Sequence, residues 1–200
     1  VSFFNSSISG IYNQSPFEIS DFDTITIQNC SFSNNIGEVV AGAQNSIIQI
    51  SGNSVEMTSV RIQNNTEGSS NNLVYIEADS IHMDGIYFTN NSAPGSTILY
   101  LKNVLDLSLK NIVQQGDVYL YGIGAWGPTI GESSSTFENI TLLSNNVGFV
   151  NSSSSWAIYF SGFHNVEISE IFVENNANYL ILDSFKVSNV VITNYLFTGN

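Results

Sequence analysis

Basic residues and cysteine are the components that this sequence has least of. Its 200 residues contain 4 Lys and Arg against 17 Asp and Glu, so the formal net charge is −13. Four cations are too few to neutralise a phosphate backbone, which argues against a nucleic-acid partner. The single cysteine, Cys30, excludes an internal disulfide framework and a cysteine-based zinc site. We interpret it as a small buried hydrophobe, not as a nucleophile.

Long apolar runs and helix-forming residues are also scarce. No run reaches the roughly 18 apolar residues that a membrane span needs, so we expect none. Leu occurs 12 times, against 23 Ile, 16 Val and 13 Phe, a bias that favours strands over helices. Because 42% of the residues are hydrophobic, the composition also argues against intrinsic disorder. What is abundant is polar and uncharged, with 26 Asn, 30 Ser and 11 Thr.

An Asn-Asn pair recurs along the chain and reveals an internal repeat. Pairs at similar spacing begin at Asn34, Asn64, Asn90, Asn145 and Asn175. We place further copies at Gln114-Gln115 and Gly199-Asn200, which gives spacings of 30, 26, 24, 31, 30 and 24 residues. These asparagines are expected to form one turn in every copy.

Apolar residues recur nine, seven, four and two positions before each turn. In the first copy they are Ile25, Ile27, Cys30 and Phe32. The copy before Gln114 is broken by Lys110, and the copy before Asn145 is out of phase. Steps of two are typical of a strand with one face inward, and the step of three predicts a two-residue corner between two short strands. A unit of 24–31 residues therefore fits one coil of a three-faced parallel β-solenoid.

Three phrases of the repeat carry a resemblance to a known group. Phe32-Ser-Asn-Asn, Phe88-Thr-Asn-Asn and Phe197-Thr-Gly-Asn resemble the F-x-x-N repeats of right-handed parallel β-helix proteins. Such repeats occur in adhesin-like surface proteins of the pectin-lyase-like superfamily. The resemblance covers nearly the whole chain and implies a fold that is all-β: a right-handed, single-stranded parallel β-helix of about seven coils. We expect residues 1–200 to form one such domain, a segment of a longer chain or a protomer that stacks on itself.

In this geometry equivalent residues stack about 4.8 Å apart, and stacked amides form hydrogen-bonded ladders. We therefore predict an asparagine ladder at the turns. The residues in question are Asn34, Asn35, Asn64, Asn65, Asn90, Asn91, Asn145, Asn146, Asn175 and Asn176. The pattern leaves open whether the first or the second member of each pair is buried.

Sequons Asn-x-Ser/Thr make the chain a candidate glycoprotein. The candidates are Asn5, Asn29, Asn64, Asn90, Asn139 and Asn151, while the sequon at Asn13 is disfavoured by Pro16. If the first member of a pair is the buried one, Asn64 and Asn90 cannot carry a glycan.

Two outward columns are candidate binding surfaces. An exposed polar strip is expected at Glu56, His82 and Asp106, where an imidazole between two carboxylates would bind a sugar or cation, or would simply offset repulsion between stacked acids. Exposed apolar residues at Phe172, Val191 and Leu196 predict a lateral or end contact, unless a loop of the same chain covers them.

Function is the least determined property. Enzymes of the superfamily use clustered Asp residues, or Ca²⁺ with a basic residue, and we find neither, so we expect no catalytic residue, metal or other cofactor. We predict a structural, non-catalytic segment of an extracellular or cell-surface, glycosylated fibre that self-associates. The alternatives are a carbohydrate- or host-binding adhesin module, with a cleft near Tyr119, Tyr121 and Trp126, and a polysaccharide lyase or hydrolase.

Overall fold

The computed structural model confirms the predicted parallel β-solenoid, with about six turns. It describes residues 1–13, 15–37, 46–67, 72–128, 133–147, 155–176 and 180–199. Within these ranges there is no helix, and so none that could span a bilayer. The strands are β1 (Ser2–Phe4), β2 (Ser7–Ser9), β3 (Tyr12–Asn13), β4 (Phe17–Gln28), β5 (Ser31–Ser33), β6 (Ile36–Gly37), β7 (Ile48–Gln63), β8 (Val74–Thr89), β9 (Ser92–Lys102), β10 (Asp106–Gln115), β11 (Val118–Trp126), β12 (Ser134–Leu143), β13 (Asn146–Val147), β14 (Trp156–Ser161), β15 (Asn165–Glu174), β16 (Leu180–Phe185) and β17 (Val190–Thr198).

Each coil carries three strand segments that pair in parallel with the coils on either side. Ile81 and Met83 lie on the first face, Ile86 and Phe88 on the second, and Leu99 on the third. The parallel register places inward residues on inward residues, as in the first-face column Val55, Ile81, Leu107. These columns form one buried core of Ile, Val, Leu and Phe side chains along the axis.

The bends that separate the faces require left-handed backbone. Between the first and second faces, φ is positive at the second corner residue, for example 53° at Asn29 and 55° at Ser59. The turn after the second face repeats the conformation at the first Asn of each pair, as at Asn64 and Asn90 with φ of 53° and 54°. Asn tolerates this region better than most residues. Asparagine therefore recurs at these two bends, where Ser59, Gly85, Gly116, Ser144 and Glu170 replace it in some coils.

In two copies of the repeat, the turn and the inward residues lie at other positions in the sequence than predicted. The register pairs Leu107 with Ile81 and Gln114 with Phe88, so the turn of that coil is Gly116-Asp117 and not Gln114-Gln115. Lys110 consequently lies at the corner, opposite Asp84, and does not break the inward pattern.

The other shifted copy precedes Asn145. The pairing of Ser135 with Leu107 and of Leu142 with Gln114 places Ser144 at the turn, with a φ of 51°. Asn145 is therefore the second turn residue of its coil. Both errors arose because a turn residue was replaced, by Gly116-Asp117 in one coil and by Ser144 in the other, while an Asn or Gln pair happened to stand nearby.

Candidate functional site

In four of the five predicted Asn pairs the second member forms the ladder; in Asn145-Asn146 it is the first member, Asn145. Asn35, Asn65 and Asn91 are buried and stack in successive coils. The Oδ1 atom of Asn65 accepts hydrogen bonds from the main-chain N–H and from Nδ2 of Asn35, both at 3.0 Å. Its own Nδ2 donates to the carbonyl of Phe32 at 3.0 Å and to Oδ1 of Asn91 at 3.0 Å. Every polar atom of the side chain is therefore used to join one coil to the next.

The ladder continues through Asp117, Asn145 and Asn176. Asn145 donates from Nδ2 to Oδ1 of Asn176 at 2.8 Å and to the carbonyl of Gln114 at 3.1 Å. The first members of the other pairs point outward and are exposed, namely Asn34, Asn64, Asn90 and Asn175. The side chain of Asn146, which follows the ladder residue of its coil, lies outside the described residues.

Five sequon asparagines lie exposed at left-handed bends. Asn5, Asn29 and Asn139 lie at the corner between the first and second faces, and Asn64 and Asn90 at the Asn turn. Asn151 and the side chain of Asn13 lie outside the described residues. In these two pairs the buried ladder residue is the second member, Asn65 or Asn91, and Asn64 and Asn90 are exposed, as a glycan would require.

The polar strip is assembled differently from the prediction. Glu56 and His82 are paired on adjacent coils, but the residue beyond His82 is Ser108 and not Asp106. Asp106 lies two positions earlier on its strand and still reaches His82, with Nε2 and Oδ2 3.1 Å apart. The two side chains are 51% and 58% exposed, so their pairing is a surface contact.

The predicted contact residues lie at the last described coil. Phe172 and Leu196 pair on adjacent coils, with Phe172 half-buried and Leu196 exposed, and Val191 is exposed beside them. Val191 and Leu196 lie on β17, which also exposes its inward column of Val190, Ile192, Tyr195 and Phe197. The described coils therefore leave two apolar faces uncovered here, one lateral and one along the axis.

A row of stacked aromatic rings on the third face was missed by the sequence analysis. The ring centroids of Tyr100 and Trp126 lie 4.2 Å apart at an interplanar angle of 22°, and those of Tyr121 and Trp156 lie 3.8 Å apart at 17°. We call this set the aromatic row; its members are Tyr75, Tyr100, Tyr121, Trp126, Trp156 and Tyr159. Of the predicted cleft residues, Tyr121 and Trp126 belong to the row, whereas Tyr119 is fully buried.

A polar network joins one end of this row to the neighbouring coil. The Tyr75 hydroxyl donates to Oε2 of Glu77 at 2.6 Å, and Asn103 Nδ2 donates to Oε1. Lys102 Nζ lies 3.3 Å from the same carboxylate. Partial burial opposes ionisation of Glu77, but the hydrogen bonds from Tyr75, Lys102 and Asn103 prevail and lower its pKa. Burial and the neighbouring Glu77 raise the pKa of Tyr75.

Carboxylates converge at an open groove beside this network. The groove has a volume of about 430 Å³ and is lined by residues of four coils. Its acidic members are Asp21, Asp23, Glu77 and Asp79. Asp23 accepts a hydrogen bond from Asn53 at 3.1 Å. These acids lie up to 58 residues apart and meet only through the register, so their convergence could not be predicted from the sequence. No group of three or more potential metal ligands is found among the described residues.

No family model matches the chain, and no curated protein matches it significantly. The resemblance to F-x-x-N β-helix proteins is therefore carried by the repeat phrases and by the parallel solenoid itself.

Proposed function

We propose that the chain is a structural, non-catalytic segment of an extracellular, glycosylated surface fibre. The observation that supports this most directly is the ladder, in which buried amides bond each coil to the next along one axis. Stacked apolar columns run parallel to it through the same coils. Such a construction resists bending and extension along the axis, as a shaft must.

The exposed inward column of β17 supports an axial contact in the fibre. A further parallel coil would bury Val190, Ile192, Tyr195 and Phe197, and would satisfy the free edge of the strand. We propose that a further coil, belonging to a longer chain or to a second copy of this one, supplies it in the same parallel register. Phe172, Val191 and Leu196 would then form a lateral contact.

The two contacts are tested by paired substitutions in β17. Ile192→Asp places a charge in the axial column, while Val191→Thr alters only the lateral face. Analytical ultracentrifugation of the full chain is expected to show self-association that Ile192→Asp abolishes. Loss of association in Val191→Thr alone would assign the contact to the lateral face. A chain that stays monomeric at all concentrations would overturn the contact between copies.

Glycosylation is proposed at the five exposed sequon asparagines described above. Asn5 and Asn29 occupy equivalent corners of adjacent coils, and Asn64 and Asn90 equivalent turns, so their amides lie about 4.8 Å apart along the axis. Mass spectrometry of the native protein, before and after glycosidase treatment, is expected to find glycans at these sites. If all five asparagines are unmodified, the proposal that the fibre is glycosylated is wrong.

The adhesin alternative depends on the aromatic row. Sugars pack their apolar faces on ring faces, whereas in this row neighbouring rings stack face to face on one another. A glycan array with the full chain separates the alternatives: we expect no binding that depends on Trp126. Specific binding lost in Trp126→Ala would favour the adhesin.

The enzyme alternative depends on the acidic groove. A glycosidase needs a carboxyl with a raised pKa as its general acid. Among the groove residues, Glu77 has a lowered pKa because Tyr75, Lys102 and Asn103 donate to it, the opposite of what that role requires. We expect no cleavage of neutral or acidic polysaccharides. Cleavage abolished by Asp23→Asn would contradict the non-catalytic role.

A further inference from the structure

Asp117 is the acidic residue in a ladder whose other described members are asparagines. It occupies the position of Asn91 in the next coil and is fully buried. Its main-chain N–H donates to Oδ1 of Asn145 at 2.9 Å, as the ladder requires. An ionisable carboxyl in this position is unexpected, because burial disfavours its charged form.

The asparagines show what the second side-chain atom does at each rung. Nδ2 donates to a main-chain carbonyl of the preceding coil. That carbonyl belongs to the residue three positions before the ladder residue of that coil. Asn91 bonds in this way to Ile62 at 2.8 Å, and Asn65 to Phe32 at 3.0 Å. The same Nδ2 also donates to Oδ1 of the following ladder residue, as from Asn65 to Asn91 at 3.0 Å. This position of the ladder therefore requires a donor.

In Asp117 that position is taken by Oδ2. The other oxygen, Oδ1, is fixed like the Oδ1 of an asparagine, because it accepts from the main-chain N–H of Asn91 at 2.7 Å and from Nδ2 at 3.1 Å. Because Oδ2 takes the position that Nδ2 has in the asparagines, it faces the carbonyl of Phe88 and Oδ1 of Asn145. Both of these atoms are acceptors. It is buried and has no hydrogen-bond partner in the described part of the chain. A carboxylate oxygen would be repelled there, whereas a protonated one would donate.

Among the described residues, no group packed around Asp117 carries a positive charge. Asn91 and Asn145, on the two adjacent coils, are neutral. Tyr119, two residues after Asp117 on β11, is buried, and burial together with the Asp117 charge raises its pKa. Among the described residues the other buried acid is Glu67. It lies two coils away, with its carboxyl against Gly37. Burial outweighs the two hydrogen bonds from Asn91 and raises the pKa of Asp117 to about 7.

We propose that Asp117 is a proton-gated link of the ladder: protonated, it donates a hydrogen bond that joins adjacent coils, and its ionisation loosens the solenoid at this rung. The proposal goes beyond the structural function and does not depend on it. The hydrogen bonding between this coil and its neighbour then depends on pH near neutrality.

The sign of the effect follows from linkage. An acid whose pKa is higher in the folded chain than in the unfolded chain, where it is about 3.9, stabilises the fold least at high pH. Between about pH 4 and pH 7 the folding equilibrium constant then falls by about tenfold per pH unit, and above that range it levels off. Asparagine cannot ionise, so Asp117→Asn supplies the permanent donor and removes this dependence.

The test compares the full chain with Asp117→Asn by urea unfolding from pH 5 to pH 8, in EDTA to exclude a metal bridge. The ratio of folding equilibrium constants, variant over wild type, is expected to rise about 100-fold across this range. In the control Asp79→Asn, which removes an exposed acid, the ratio should stay constant. A constant ratio in Asp117→Asn as well would overturn the proposal.

A second measurement keeps the proposal testable if the variant folds poorly. The ¹³C resonance of the Asp117 side-chain carboxyl in the wild-type chain should titrate with a midpoint near 7. A midpoint near 4, typical of an exposed aspartate, would show that the link is ionised in the folded protein and would refute it.

Discussion

The six-membered ring of Trp126 occupies the space that a β-carbon on Gly124 would fill. Gly124 pairs with Tyr100 on one side and with Tyr159 on the other, so the aromatic row would be interrupted there. The indole of Trp126, two residues on, folds back over the glycine and bridges the gap. Its centroid lies 4.2 Å from Tyr100 and 5.3 Å from Tyr159.

Gly124→Ala is therefore expected to destabilise the solenoid by about 1–3 kcal/mol, because the methyl group displaces the indole from the row. Near-ultraviolet circular dichroism and urea unfolding would detect the loss. In a Trp126→Ala background the same substitution should be tolerated, since the space is vacant. Equal costs in both backgrounds would show that the two residues are not coupled.

Asn65→Ala tests the ladder. It removes both side-chain bonds to Asn35 and Asn91 and leaves the buried carbonyl of Phe32 without its donor. We expect a loss of about 3 kcal/mol or more in the free energy of unfolding. The neighbouring Asn64 is exposed and left-handed, so Asn64→Gly should cost less than about 1 kcal/mol. Similar losses in both variants would contradict the assignment of the second residue to the ladder.

Gln114→Leu should stabilise the protein. Gln114 is fully buried between Phe88 and Leu142, and neither atom of its amide has a hydrogen-bond partner among the described residues. Replacing the amide with an apolar group of similar size is expected to add about 1–3 kcal/mol to the free energy of unfolding. Gln115→Leu, at the exposed neighbour, is the matched control and should change it little. An unchanged or lowered unfolding midpoint in Gln114→Leu would mean that the amide has a partner.

His82→Gln is expected to be nearly neutral. The pair with Asp106 is more than half exposed, so its loss should change the free energy of unfolding by about 0.5 kcal/mol or less. Calorimetry with Ca²⁺ and a glycan array should give the same result for the variant and the wild type. Binding that is present in the wild type and absent from the variant would make the polar strip a functional site.

The fold could be predicted because each coil repeats its inward residues at the same spacing. Ile25, Ile27, Cys30 and Phe32 are buried where the repeat placed them. The predicted phase of the repeat was wrong at Gln114, which takes the place of an apolar residue in the core. In the sequence, a buried Gln cannot be told from a turn residue. The same shift moved Asp106 out of the column of His82.

The surface features were harder to predict because they depend on loop length. The aromatic row lies on the third face, which follows a loop of variable length in each coil, so the Asn turns do not fix the alignment of Tyr75, Tyr100 and Tyr159. The acidic groove arises where β4 shifts register between Ile19 and Phe22, an irregularity that no repeat pattern contains. Asp117 was missed because the turn itself had been placed two residues too early.

Electron microscopy of the native full-length protein, with diffraction from aligned material, tests the central claim most directly. A shaft built of stacked coils predicts filaments whose width is that of a single solenoid or of a few side by side. It also predicts a repeat of about 4.8 Å along the filament axis, the distance between coils. Discrete compact particles, or a 4.8 Å spacing perpendicular to the filament axis, would contradict it.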